Sequence, residues 1–267
     1  MNDRLRTAVY GFAVGDALGV PYEFRQRDSF CCNDMMCGGT HHQPSGTWSD
    51  DTSMLLATCH SIKECECVNP DDIMYKFSEW LFKGKYTANG NVFDYDNTTY
   101  RAIQRYKDGA PLKKCGERSN LSAENGSLMR ILPLAFIEDG FSETYAVSSL
   151  THASQICIEC CMEYILCVQR AKNRLHITIP MAIRELSRDQ VKSSAYVKDT
   201  LEATLWCIAN TESYENAVLE AVNLGGDTDT IAALTGALAA LQYGFDAIPK
   251  RWIDRLANKK LIERCLF

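Results

Sequence analysis

Nowhere in the 267 residues do about 20 consecutive apolar residues occur, the length that a helical membrane span needs. The opening stretch, MNDRLRTAVYGFAVGDALG, breaks its apolar run at Asp16, so a soluble, unprocessed, cytoplasmic protein is expected. Positive charge is also short. Lys and Arg number 28 against 34 Asp and Glu, a formal net charge of −6, which leaves no electrostatic footprint for a nucleic-acid backbone or an anionic membrane. Strand-like alternation is nearly missing too: the best candidate, Ile177 to Ile179, is short and stops at Pro180. No repeat period, linker or composition shift divides the chain, and a single domain over residues 1–267 is expected.

Cysteine, by contrast, is plentiful. The 13 cysteines are an odd number scattered from Cys31 to Cys265, and Cys157, Cys160, Cys161 and Cys167 fall at apolar helical positions where a thiol packs as a small hydrophobe. Reduced core thiols follow from that placement. The run Cys31, Cys32, Cys37, His41 and His42 lacks the paired spacing of a zinc site, and Cys157-x-x-Cys160 lies in a helical pattern without the βαβ setting of a redox motif.

Helical periodicity fills most of the chain: Ile73, Met74, Phe77, Trp80 and Leu81; Ile156, Cys157, Cys160, Cys161, Tyr164 and Ile165; Val197, Leu201, Leu205 and Ile208. An all-α fold is the reading, interrupted by irregular stretches at 25–47, 83–96 and 108–126 whose length suits loops that line a site. Small residues recur every fourth position at Gly11, Gly15 and Gly19 and again at Ala232, Gly236, Ala240 and Gly244. Positions four apart share a helix face, and glycine there costs roughly 1 kcal/mol against alanine, so each stripe marks a place where another backbone comes close. The two striped helices are expected at the centre, against each other.

Two acid-rich segments stand just before helical patterns: Ser49, Asp50, Asp51 and Thr52 in GTWSDDTSM, and Asp227, Thr228, Asp229 and Thr230 in NLGGDTDTIAAL. Helix capping accounts for the first. It accounts poorly for the second, because a cap needs one or two acceptors and the paired glycines imply an unusual backbone path. An oxygen-only ligand set suits hard cations such as Mg²⁺, Mn²⁺ or Ca²⁺, and converging aspartates without a cation would repel one another. Glu23 is a third acid, just past the first striped helix; Asp94 precedes Asn-Thr-Thr, where it can serve as a cap. SAENGSLMR places Gly126 among small polar groups at an apparent helix start, where backbone N–H groups could cradle an anion. His152, in LTHAS, ends an apolar run, a setting more typical of a packed or capping histidine.

Taken in order, GFAVGDALGVPYEF, GTWSDDTSM, FDYDNTT, ENGSLMRILP, LTHAS, KSSAYVKDT and AVNLGGDTDTIAALTGALAALQYG resemble the ADP-ribosylglycohydrolase family, above all the bacterial members that act on dinitrogenase reductase, over roughly residues 5 to 255. The resemblance implies a compact orthogonal helical bundle with a binuclear Mg²⁺ or Mn²⁺ site in a central cleft. By the same resemblance Ser49, Asp50, Asp51, Asp227, Asp229 and Thr230 would hold the two ions, and Glu23 and Asp94 would be catalytic. Ser122, Asn125, Gly126, Ser127, His152 and Tyr196 would contact substrate. The implied reaction is hydrolysis of the bond between ADP-ribose and a modified side chain, arginine first, on an ADP-ribosylated protein or a small adduct, by a monomer. Serine-linked or O-acetyl-ADP-ribose is the alternative substrate, and a non-catalytic relative or a di-metal phosphoesterase is the rival class. Residues 109–124 match no family pattern.

Overall fold

A computed structural model describes residues 3–267. Twelve α-helices follow in order: α1 (Asp3–Gly19), α2 (Asp50–Cys65), α3 (Pro70–Lys83), α4 (Asn97–Lys107), α5 (Thr144–Ser148), α6 (Gln155–Lys172), α7 (Met181–Arg184), α8 (Val197–Asn210), α9 (Tyr214–Asn223), α10 (Thr228–Tyr243), α11 (Lys250–Arg255) and α12 (Lys259–Cys265). Short 3₁₀ turns join several of them, and the described residues hold no β-strand, only isolated bridges such as Glu124 with Tyr196. The fold is all-helical, and its buried apolar side chains form one cluster running from Leu5 to Leu266. No helix is long and apolar enough to cross a membrane among the described residues.

Local chemistry sets the helix ends. Asn69 caps α3 by accepting from the Asp72 amide at 3.2 Å, Pro70 sits in the first turn where a missing N–H costs nothing, and Gly84 closes the helix in a left-handed conformation. The periodic segments read from the sequence become α3, α6 and α8. Ile177 to Ile179 does not form a strand: the segment finds no pairing partner, buries Ile177 against the core and runs into Pro180, which opens α7. All 13 cysteines are free, and Cys157, Cys160, Cys161 and Cys167 are buried in α6.

The centre is the α1–α10 pair. Both helices are buried all round, α1 from Thr7 to Gly19 and α10 from Thr228 to Leu241, as expected of elements enclosed by others. The small-residue stripes face each other. A Cβ placed on Gly11 would overlap Ala240 and the Gly236 carbonyl, one on Gly15 the Ala232 carbonyl, and one on Gly19 the Asp229 backbone. Gly244 does not belong to this seam. It has φ +95°, open space around it, and an N–H on the Ala240 carbonyl at 2.8 Å, so it stops α10. The seam matters for the site because Gly19 leads directly to Glu23, while α10 begins at the second acidic segment.

Candidate active site

Two of the long irregular segments, 83–96 and 108–126, reach one cleft of about 190 Å³ at the end of the α1–α10 seam, lined by Glu23, Asp50, Asp51, Asp94, Asp96, Glu124, Asp227 and Asp229 among others. Larger hollows exist, including one of about 560 Å³ around Arg4 and Arg174, but no carboxylate lines that one. Chemistry rather than size identifies the site.

The first acidic segment enters on the first turn of α2. Ser49 is the N-cap, its hydroxyl accepting from the Asp51 amide at 3.2 Å. Behind it lies Asp16, a fully buried carboxylate in the last turn of α1, which the sequence offered only as a break in an apolar run. Its two oxygens accept from the Ser49 amide at 2.9 Å, the Thr52 amide at 3.0 Å and the Thr52 hydroxyl at 2.6 Å. Those bonds fix the α2 N-terminus to α1 and hold Asp50 and Asp51 toward the cleft. Burial pushes Asp16 up to about 6, against the stabilising pull of these donors.

The second segment enters on α10. Asp227 occupies the N-cap position but makes no side-chain cap bond; its carboxylate takes the Asn125 side-chain amide instead. Gly225 and Gly226, at φ +72° and +73°, provide the left-handed turn that presents it. Thr230 reaches across with its hydroxyl to Asp51 Oδ1 at 3.4 Å, so the two acidic segments, 179 residues apart, meet. Oxygens of Asp16, Asp51 and Asp229 lie within 4.8 Å of one another, and so do those of Glu23, Asp227 and Asp229. Asp51 Oδ2 is buried with no hydrogen-bond partner.

So many buried carboxylates cannot all be ionised. Burial raises Asp50, Asp51 and Asp229 well above the ordinary carboxylate range, with Asp51 the next cause for Asp50, Asp229 for Asp51, and Asp94 for Asp229. Glu23 is pushed up to about 10 by burial and then by Asp229. An all-oxygen, electron-rich cluster with an orphaned acceptor fits a hard divalent cation, and these acids can hold a metal.

Glu23 and Asp94 come together through a third residue. His41 Nε2 contacts the Glu23 carboxylate and lies 3.4 Å from Asp94 Oδ1. In the sequence His41 sat beside the cysteines; in the fold it turns away from them to the acids. Asp94 is not the cap of α4: that is Asp96, which accepts from the Thr99 amide and hydroxyl, both at 2.6 Å. Asp94 stands in the left-handed region at φ +65°, which aspartate adopts more readily than most non-glycine residues. Released from capping, its side chain is free to face the cleft.

The remaining sequence candidates divide by place. Asn125 lines the cleft, and Gly126 packs so closely under Asp96 and His152 that a Cβ would overlap both. His152 is fully buried beside the cleft wall, with Nε2 3.7 Å from Glu124 Oε2 and Nδ1 2.7 Å from the Thr151 hydroxyl. Ser127 turns into the core, toward the Ser148 hydroxyl at 3.0 Å and Cys161 Sγ. Ser122 lies in a separate short turn outside the cleft lining, and Tyr196 stands half exposed at the N-cap of α8, next to the cleft-lining Ala195. Sequence reasoning missed Asp16, His41, Asp96 and Glu124, and also Arg130. That arginine is fully buried, stacks over Phe77 and donates to the Gly126 carbonyl and to the Thr151 hydroxyl at 2.9 Å, tying the Asn-Gly turn to the histidine.

Comparison with known proteins agrees with this geometry. The family model described as ADP-ribosylglycohydrolase matches residues 1–266. The chain is 33% identical to an ADP-ribosylarginine hydrolase of Serratia proteamaculans, over 97% of this chain and 77% of that one. It is 30% identical to the ADP-ribosyl-[dinitrogen reductase] glycohydrolase of Rhodospirillum rubrum, over 97% and 92%. A solved ADP-ribosylglycohydrolase-related protein complex superposes with a TM-score of 0.81 at 29% identity, covering 98% of this chain and 95% of that one. With a helical fold, a buried acid cluster at the end of the α1–α10 seam and these relatives along its whole length, the chain belongs to the ADP-ribosylglycohydrolase family and is an enzyme of the glycosidase class.

Proposed function

We propose that this enzyme hydrolyses the N-glycosidic bond between ADP-ribose and an arginine side chain, releasing ADP-ribose and free arginine. The observation that carries this reading is the pair Glu23 and Asp94 meeting at His41 beside the Asp51–Asp227–Asp229 cluster. Relatives along the whole chain are named for arginine-linked ADP-ribose, which supports the linkage. In this reading Ser49, Asp50, Asp51, Asp227, Asp229 and Thr230 hold two Mg²⁺ or Mn²⁺ ions, which when bound orient the ribose hydroxyls and stabilise charge. The cleft, at about 190 Å³, is smaller than the roughly 300–1,000 Å³ that encloses a drug-sized ligand, so it takes the distal ribose and the bond to be cut while the rest of the nucleotide lies along the surface.

The chain's own groups then divide the work. Glu23, whose oxygens lie among those of Asp227 and Asp229, would be ionised once bound cations offset the neighbouring acids, and then takes the proton of the attacking water as the water oxygen bonds to the anomeric carbon. Asp94, which also meets His41, pairs with the guanidinium, a forked cation that a carboxylate matches; as the carbon–nitrogen bond breaks its electron pair stays on the nitrogen, and the neutral guanidine takes up the proton that Glu23 drew from the water. Asn125 holds Asp227 in place.

The test is a side-by-side assay of arginine- and serine-modified peptides at equal ADP-ribose loading, with free ADP-ribose as the product read. Arginine is expected to be released faster, and Asp94→Asn to lose most of that activity while ADP-ribose still binds. Serine release as fast as arginine release would reverse the linkage. AMP or phosphate in place of ADP-ribose would favour a di-metal phosphoesterase.

A further inference from the structure

Two large aromatic rings stand in water at the mouth of the acidic cleft. Phe24 is 69% exposed and Tyr95 41% exposed, and both line the cleft. Each directly follows one of the two acids that meet at His41: Glu23 is followed by Phe24, and Asp94 by Tyr95. Neither residue is loosely hung. The Phe24 amide donates to the Gly226 carbonyl at 2.7 Å and Gly226 donates back to Arg25 at 2.9 Å, so the phenylalanine is tied to the turn that presents Asp227. Phe24 itself has φ +62°, a conformation that bulky residues rarely adopt. Tyr95 is braced by Tyr100, stacked at 5.8 Å, and meets Trp80 edge-on at 6.2 Å.

We infer that Phe24 and Tyr95 are specificity-determining jaws that hold the guanidinium on the leaving-group side of the scissile bond. The inference rests on the arginine reading above and deepens it. An arginine cation gains from a ring face within about 6 Å, and here two rings line the same cleft as Asp94, the carboxylate that would pair with its fork. The rings' place also argues against the adenine as their occupant: they adjoin Glu23 and Asp94, where the bond is cut, whereas the adenine lies a diphosphate away from the distal ribose. A serine leaving group offers no cation for the rings to face.

The experiment is steady-state kinetics on an arginine-ADP-ribosylated peptide with the wild type, Phe24→Ala, Phe24→Leu and Tyr95→Ala, together with the inhibition constant of free ADP-ribose for each. Both alanine variants are expected to lose roughly tenfold in kcat/KM, mainly through KM, with the ADP-ribose constant unchanged. Phe24→Leu, which keeps apolar area but no ring face, is expected to stay low. An ADP-ribose constant that weakens in step with KM would overturn the inference by placing the rings on the nucleotide, as would full activity in Phe24→Leu or in both alanine variants. A wild-type enzyme that leaves the arginine peptide intact yet releases ADP-ribose from the serine peptide would overturn the linkage reading, and the jaws with it.

Discussion

At Gly11 the first and tenth helices meet backbone to backbone through glycine and alanine, whereas two turns further along the same pair delivers Glu23, Asp227 and Asp229 into one buried cluster. One end of the seam satisfies every rule of close packing; the other gathers like charges that repel. The contrast shows how the second is tolerated. Backbones locked along α1 and α10 leave the acids no room to separate, and Gly19, against the Asp229 backbone, is where one regime passes into the other.

The strongest way to sharpen that contrast is to remove or supply the cation. Chelation is expected to abolish hydrolysis and Mg²⁺ or Mn²⁺ to restore it, measured as ADP-ribose release; full turnover in protein shown to be metal-free would refute a metal role for the cluster. Next comes Asp229→Asn, which keeps shape but removes charge. Turnover at saturating metal should fall by about a hundredfold or more, while the melting temperature of the metal-free protein holds or rises as repulsion is relieved. Near-normal turnover would take Asp229 out of the site.

At the packed end the order inverts. Gly11→Ala forces a methyl into Ala240 and the Gly236 carbonyl and should cost about 1–3 kcal/mol of stability with turnover per folded molecule unchanged, whereas Gly19→Ala should lower both. Equal behaviour of the two variants in paired denaturation and activity measurements would erase the boundary proposed at Gly19.

The smallest effect is on pH. An unfolded carboxylate titrates near 4, but in the metal-free fold burial raises Asp16 to about 6, and burial with neighbouring acids raises Glu23 to about 10. The folded state therefore binds more protons between those limits, and its stability falls as pH rises from about 4 toward 10. Melting curves in chelator from pH 5 to 9 should drift downward, and added metal, which replaces those protons, should flatten the drift. A flat profile in chelator would mean the acids are already neutralised within the protein.

What could be read in the chain follows from the range of each interaction. The striped helices, the all-helical architecture and the two acidic segments carry their signal in local spacing, so the α1–α10 pairing was expected from the stripes Gly11, Gly15, Gly19 and Ala232, Gly236, Ala240, Gly244. Asp16 could not be read that way. Its partners, Ser49 and Thr52, are 33 and 36 residues distant, and in sequence it is one acid interrupting an apolar run. His41 had stronger neighbours in the cysteines than in Glu23 or Asp94, which reach it only through the fold. At FDYDNTT the sequence reading offered Asp94 as the cap, whereas Asp96, which directly precedes Asn97, takes that role. Ser127 illustrates the converse: a small polar residue in the right motif, whose hydroxyl the core absorbs.

The seam also bears on how the protein is made. Gly15 faces Ala232, more than 200 residues later, so during synthesis the first helix emerges with its striped face uncovered and waits for nearly the whole chain before its partner exists. Until then α2 can be anchored to Asp16, but half of the acid cluster is missing and the apolar face of α1 is open to wrong partners. A chain lacking α10 would thus leave the striped face of α1 uncovered and hold only half of the acid cluster, and the acidic cleft cannot be complete until α10 is in place.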